Sequence, residues 1–302
     1  MKKAYLVIIV VLFSGILSTT KGQQIPQYSQ FMFNPYIINP AVAGTYNYFQ
    51  IRSNNRYQWI GIPDAPQTYS LSVYGPHAKK DMGFGGMIFS DITGPTSRLG
   101  LNGSYSYNVR MTDDIRVSGG LMFGLMQYKI DGSKLNFGNA DISNDPALFT
   151  ATKSTLSPDA SIGVYMYSSY FYAGLSAMQL MGNKVNFNAN AVGVNKLKQH
   201  FILAGGYKFL LNRNYELEPS LLLKYMSPSP VVVELNGKIT YRNKVWGGLS
   251  VRWKDAASLL VGYIHENKYI FGYSYDYSFT SIGKYNSGTH EIMIGVLFEK
   301  IK

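Results

Sequence analysis

Apolar and polar residues alternate along most of this chain. The clearest stretch is Tyr269–Tyr277, where every odd position is aromatic and the even positions after Ile270 are Gly272, Ser274 and Asp276. Successive side chains of a strand point to opposite faces, so one face here is a ladder of rings and the other is small and polar. The same period recurs over Tyr46–Trp59, Thr68–Tyr74, Gly83–Asp91, Arg98–Val109, Ile115–Tyr128, Ala160–Tyr167, Tyr170–Met178, His200–Phe209, Tyr215–Tyr225, Val231–Tyr241, Val245–Trp253, Ser258–His265 and Thr289–Phe298. With Tyr269–Tyr277, about fourteen antiparallel strands are expected.

A soluble sandwich or propeller buries such apolar faces, whereas a transmembrane barrel turns them to lipid. The connections discriminate between the two. Gly75–Met82, Arg110–Asp114, Ser168-Ser169, Leu210–Asn214, Arg242–Lys244 and Glu266–Lys268 are brief and all fall on one side of the alternation. The longest, Asp131–Asp159 and Gln179–Gln199, both fall on the other. Short periplasmic turns and longer outer loops are the mark of an outer-membrane barrel, so an all-β transmembrane barrel with an irregular N-terminal segment is the expected fold. Asn139 and Asn188 would then lie at the cell surface and Ser169 in the periplasm. Leu121 and Leu223 would face lipid, and Ser104 would face the lumen and tolerate an arginine better than either.

The first residues do not alternate. Lys2-Lys3, an apolar run over Ala4–Leu17 and small residues up to Gly22 have the form of a secretory signal peptide, and the run is short for a membrane-spanning helix. The expected organisation is a leader over 1–22, an N-terminal periplasmic or plug segment over 23–45 and the barrel over 46–302. The segment holds Tyr28, Phe31, Met32, Phe33, Tyr36, Ile37 and Ile38, too many apolar side chains to rest in water without a partner surface. Asn34-Pro35 and Asn39-Pro40 are turn signals that restrict its path, and a helical turn is expected near Tyr28–Met32. Tyr28, Phe31, Phe33, Asn34, Pro35, Asn39, Pro40 and Gly44 are the candidate residues for partner binding or for plugging the barrel mouth.

Composition narrows the chemistry. There is no Cys, which excludes disulfides, thiol catalysis and cysteine metal sites. Charged residues make up only 15% of a chain rich in Tyr and Gly, which suits a lipid-facing wall better than a soluble surface. The net charge of +11 is scattered, so nucleic acid is not an expected partner, whereas anionic lipid headgroups or an acidic protein are compatible. The four histidines have no metal-ligand spacing and no G-x-S-x-G motif occurs, so no catalytic residue, metal or cofactor is expected. The lumen parity collects Arg52, Arg56, Arg98, Arg116, Glu216, Glu218, Lys224, Glu234, Lys238, Arg252, Asp276 and Glu291, with Lys208 beside them. These charges could select solutes in an open pore, or pair with one another and hold a plug. Arg56 and Trp59, further up the first strand, are expected to support loop packing.

Specific motifs lie in the first residues of the mature chain. Gln27-Tyr28-Ser29-Gln30-Phe31-Met32-Phe33-Asn34-Pro35, Asn39-Pro40-Ala41-Val42-Ala43-Gly44, Arg56-Tyr57-Gln58-Trp59-Ile60-Gly61 and Ala65-Pro66-Gln67-Thr68 resemble the opening of the PorP/SprF family. Gly288-Thr289-His290-Glu291-Ile292-Met293-Ile294 is similar to that family's last strand. The resemblance implies an outer-membrane barrel of the type IX secretion system of Bacteroidetes. It also implies partners in the periplasmic ring, of the PorK/PorN or GldK/GldN type, and a role in export or surface attachment of one secreted cargo protein, gliding adhesins included. From the residues alone two classes stay open, an accessory or anchoring barrel for secretion and a diffusion porin or solute channel.

Overall fold

The computed structural model describes residues 25–78, 80–135, 151–183 and 197–300. The expected leader, and Asn139 and Asn188 within the two long connections, lie outside them. Fourteen strands form one antiparallel sheet: β1 (Tyr48–Tyr57), β2 (Gln67–Pro76), β3 (Met82–Thr93), β4 (Thr96–Arg110), β5 (Arg116–Asp131), β6 (Thr152–Tyr167), β7 (Phe171–Met178), β8 (His200–Tyr207, resuming at Phe209–Leu210), β9 (Tyr215–Tyr225), β10 (Val232–Tyr241), β11 (Val245–Arg252), β12 (Ala256–His265), β13 (Tyr269–Ser278) and β14 (Thr289–Lys300). Each strand pairs with its sequence neighbour, and β14 returns to pair with β1 from Phe49↔Phe298 to Tyr57↔His290. The sheet is thereby a closed barrel with no free lateral edge between its first and last strands.

The sequence period sets which side chains face out. On β4 and β5, Leu101, Leu121, Phe123 and Leu125 are exposed on the outer wall. Their neighbours Ser104, Ser106, Ser118 and Met122 are buried on the inner face. On β13, Phe271, Tyr273 and Tyr277 point outward, while Ser274 and Asp276 are buried inside. An exterior this apolar requires lipid, and the closed antiparallel ladder pairs the strand backbones with one another, as a membrane wall demands.

Two strands depart from the sequence reading for identifiable reasons. β6 begins at Thr152, eight residues before the expected Ala160, and runs through Pro158. Pro158 pairs with Leu125 on β5, but β7 engages β6 only from Ile162 onward. The missing N–H of Pro158 is therefore on a flank without a strand partner among the described residues, where proline is tolerated. β8 is interrupted at Lys208 although its register against β9 is the same on both sides, Gly206↔Ser220 and Phe209↔Leu217. Pro219 sits in the facing strand at this point and offers no ladder donor.

Candidate functional site

Residues 25–45 run inside the lumen, from near the start of β8 to near the start of β3. Ile25 donates its backbone N–H to His200 Nε2 (3.2 Å), where β8 begins next to a long connection. Gly44, at the other end, lies against Gly83 and accepts from Asn108 Nδ2 (3.1 Å), beside the short turns. The chain between them turns tightly over 29–33 and forms two short 3₁₀ turns, Pro35–Ile37 and Pro40–Gly44. Each opens on an Asn-Pro pair, since proline fixes its own φ for the first position of a turn. Asn39 also caps its turn, its side chain accepting from Ala41 N at 2.9 Å.

The upper part of this strap is held by charge. Glu291 on β14 accepts the backbone N–H groups of Ser29 (2.8 Å) and Gln30 (3.3 Å), the Asn54 amide (3.2 Å) and Arg56 Nη1 (3.2 Å). Arg56 also reaches Asp276 on β13 at 2.7 Å and Ser29 Oγ at 2.9 Å, and Ser29 Oγ donates to Asp276 at 2.7 Å. Arg56 is 2% exposed and Glu291 0%, so water does not compete for these bonds. The expected role of Arg56 in loop packing is thus corrected: its guanidinium points into the lumen and grips the strap. A second clasp forms at Gln27, which accepts from Lys224 Nζ (2.6 Å) and donates to Glu234 (3.0 Å). Glu234 in turn accepts from Arg252 Nε (3.1 Å) and Ser250 Oγ (2.8 Å).

The middle is held by packing. Phe33 stacks on Trp246 of β11 with ring centroids 3.7 Å apart, and Lys238 Nζ lies 5.0 Å from the Phe33 centroid. Phe31 and Met32 join Ile202, Leu222, Leu260 and Met293 in one apolar cluster. Tyr36 stacks on Tyr74 (4.5 Å), and its hydroxyl shares a hydrogen bond with Ser104 Oγ at 2.8 Å. An arginine at Ser104 would therefore collide with the strap, which corrects the expectation that this position tolerates one.

The lower part is held by close approach. Ser118 Oγ donates to Ala41 O (2.6 Å), Ser176 Oγ to Ile38 O (2.5 Å), and Asn39 Nδ2 to Val164 O (3.0 Å). The wall carries Gly120 opposite Ala41, where a Cβ would overlap the strap backbone. Only glycine permits this contact.

All twelve wall charges singled out from the sequence lie on the inner face, and the structure adds their partners. Arg98 pairs with Asp91, Arg116 with Asp81 (3.3 Å), Lys238 with Glu218 (2.7 Å), and Arg252 with Asp255 (2.9 Å) as well as Glu234. Arg52 Nε donates to Gln50 Oε1 at 3.0 Å. Glu216 is half-buried near the short-turn end. Of the eight strap residues, Tyr28, Phe31, Asn34, Pro35, Asn39 and Pro40 are buried, and Phe33 and Gly44 partly so, all against the wall. Their enclosure suits a plug. Sequence reasoning missed Ser29, Gln27 and Gln30, polar residues in an otherwise apolar strap that meet the wall charges. Among the described residues no cluster of His, Asp or Glu could hold a metal ion.

Below the strap the lumen stays open as a cup of about 440 Å³ on the short-turn side. Met32, Pro35 and Tyr46 line it on the strap side, and Tyr165, Tyr167, Tyr172, Lys208, Glu218 and Lys238 line the wall. Tyr165 and Tyr172 stack there at 5.8 Å.

Over residues 20–296 the chain matches the family described as type IX secretion system membrane protein PorP/SprF, and it belongs to that family. No curated protein sequence matches it. Among solved structures it is similar to the Ralstonia pickettii toluene transporter TbuX, at 11% identity and a TM-score of 0.49 over 88% of this chain and 93% of that one. It is also similar to a Pseudomonas aeruginosa FadL homologue (11%, 0.47, 90% and 94%) and to the CymD monoaromatic hydrocarbon channel (11%, 0.48, 92% and 94%). At such scores the likeness carries no argument about function.

Proposed function

We propose that this member of the PorP/SprF family is a plugged accessory barrel of the outer membrane, which serves secretion through protein contacts and not by passing solutes. The observation that supports this reading is the strap, a segment inside the lumen held by buried carboxylates at Ser29 and Gln30 and by backbone contact at Ala41 and Gly44, where an open pore would hold water. The diffusion porin, the other class compatible with the sequence, needs that water-filled path.

On this reading the short-turn end faces the periplasm and the long connections face outward. The strap is enclosed, so docking to ring components of the PorK/PorN or GldK/GldN type falls to the open cup and the short turns around it. Tyrosine-lined walls with a few charges suit a polypeptide, because the rings offer large contact area at low entropic cost. A secreted cargo protein would be presented or anchored at the opposite end.

The test is co-purification from outer membranes. Ser169→Trp at the cup's rim should leave the barrel folded and heat-resistant in detergent but deplete ring components from the eluate. Unchanged partners with a filled cup would remove the cup from the docking surface. Passage of small sugars by the intact barrel in a liposome-swelling assay would overturn the reading as a whole.

A further inference from the structure

The short turns differ around the rim. Those joining β10 to β11 and β12 to β13 are built alike, Tyr241-Arg242-Asn243-Lys244 and His265-Glu266-Asn267-Lys268. In both, the two central residues have left-handed backbones (φ of 49° and 54°, 51° and 54°), and the closing lysine N–H bonds back to the first residue's carbonyl at 3.0 and 2.9 Å. This is the two-residue hairpin turn whose twist matches the strands, normally filled by Asn or Gly. Arg242 takes a position that costs a non-glycine residue some strain. Its place is fixed by two bonds to the neighbouring turn, N–H to Asn214 O (2.7 Å) and Nε to Asn214 Oδ1 (3.1 Å).

The cations of these turns fold outward. The Arg242 guanidinium lies 5.2 Å from the centroid of Tyr241, and Lys268 Nζ 5.3 Å from that of Tyr269. Both rings belong to the outer wall, Tyr241 against Tyr215 (4.9 Å) and Tyr269 beside His265 (6.5 Å). Lys244 sits next door, since its carbonyl accepts from Ile264 N on β12 at 2.6 Å. Arg242 and Lys268 thus stand at the short-turn edge of a lipid-facing aromatic belt with the Lys244 backbone between them, and Glu266 is the one acid of the two turns. The acids Asp81, Asp113 and Asp114 belong to other turns, across the barrel.

We propose that this arc of the rim is a binding site for the phosphodiester headgroup of anionic phospholipids. Arg242, Lys244 and Lys268 hold the phosphate, and Tyr241 and Tyr269 cover the glycerol and first methylenes. Tyrosine seats at the level of the headgroups, which brings the cations stacked on it to the height of the phosphates. The lipid commitment rests on that continuity with the membrane belt; an acidic protein would have no reason to require it. Placement in the periplasmic leaflet rests on the orientation proposed above, but the binding itself does not.

Native mass spectrometry of the full barrel, released from detergent with equal phosphatidylglycerol, cardiolipin and phosphatidylcholine, tests the site. The intact protein should retain the anionic lipids at least several-fold over phosphatidylcholine. Lys244→Gln with Lys268→Gln, which leaves the Arg242–Asn214 ties intact, should remove most of that preference. Lys284→Gln, at the opposite end, should not. Inorganic phosphate at millimolar concentration should fail to displace the lipid; displacement would mean that a free anion site is present instead. Equal retention of all three lipids, or a double variant that keeps the full preference, would overturn the proposal. So would a double variant that loses a co-purifying acidic protein while its lipids stay.

Discussion

The two ends of the strap are held by different physics. Over Gln27–Gln30 the wall offers full charges, and one carboxylate, Glu291, receives four donors from strap and wall. Over Asn39–Gly44 it offers hydroxyls and missing side chains, and the backbones come into contact at Gly120 and Gly83. The first mode depends on protonation and on the presence of every partner, because a buried charge left alone is costly. The second depends on volume, because a close-packed contact cannot admit one more carbon without moving something. The upper end should therefore be sensitive to deletion of a group and the lower end to addition of one.

The sharpest division comes from Glu291→Ala. It leaves Asp276 as the one carboxylate bonded to Arg56 and frees the Ser29 and Gln30 N–H groups, at a cost of roughly 3–5 kcal/mol. Hydrogen exchange should accelerate over 27–34 while 39–45 stays protected; equal acceleration throughout would mean that the strap moves as one body. Leu121→Arg, one residue from Gly120 but on the outer wall, should cost about 2–4 kcal/mol through charge in lipid and leave the strap's exchange unchanged. If the strap loosens instead, inner and outer faces of β5 are not independent. Gly120→Ala should cost about 1–3 kcal/mol, with the exchange pattern reversed, fast at 39–45 and slow at 27–34. Ser118→Ala removes a single hydrogen bond to Ala41 O, about 0.5–1.5 kcal/mol, and should shift the melting point least.

The barrel was legible because a strand's period of two writes its two faces directly into the sequence, as in Tyr269–Tyr277, and because short and long connections segregate by side. The inner-face charges could be named for the same reason. Their partners could not, because Arg56, Asp276 and Glu291 meet only through the closure of β14 on β1. The path of the strap was also hidden. A lumen full of water and a lumen full of protein both favour polar inner residues, so the pattern at Ser104 or Ser118 reads alike in either case. The signal that was present is size: Ser70, Ser72, Ser104, Ser106 and Ser118 with Gly83 and Gly120 are small for a water-lined wall and leave room for a chain. The start of β6 shifted because Pro158 could be accommodated on an unpaired flank.

Conductance in planar bilayers tests the plugged lumen most directly. The intact barrel should insert without steady current, and a barrel lacking residues 27–40 should conduct with long, stable openings. A steady current through the intact protein, or identical silence from the folded deletion variant, would contradict the claim that the strap is what closes the barrel.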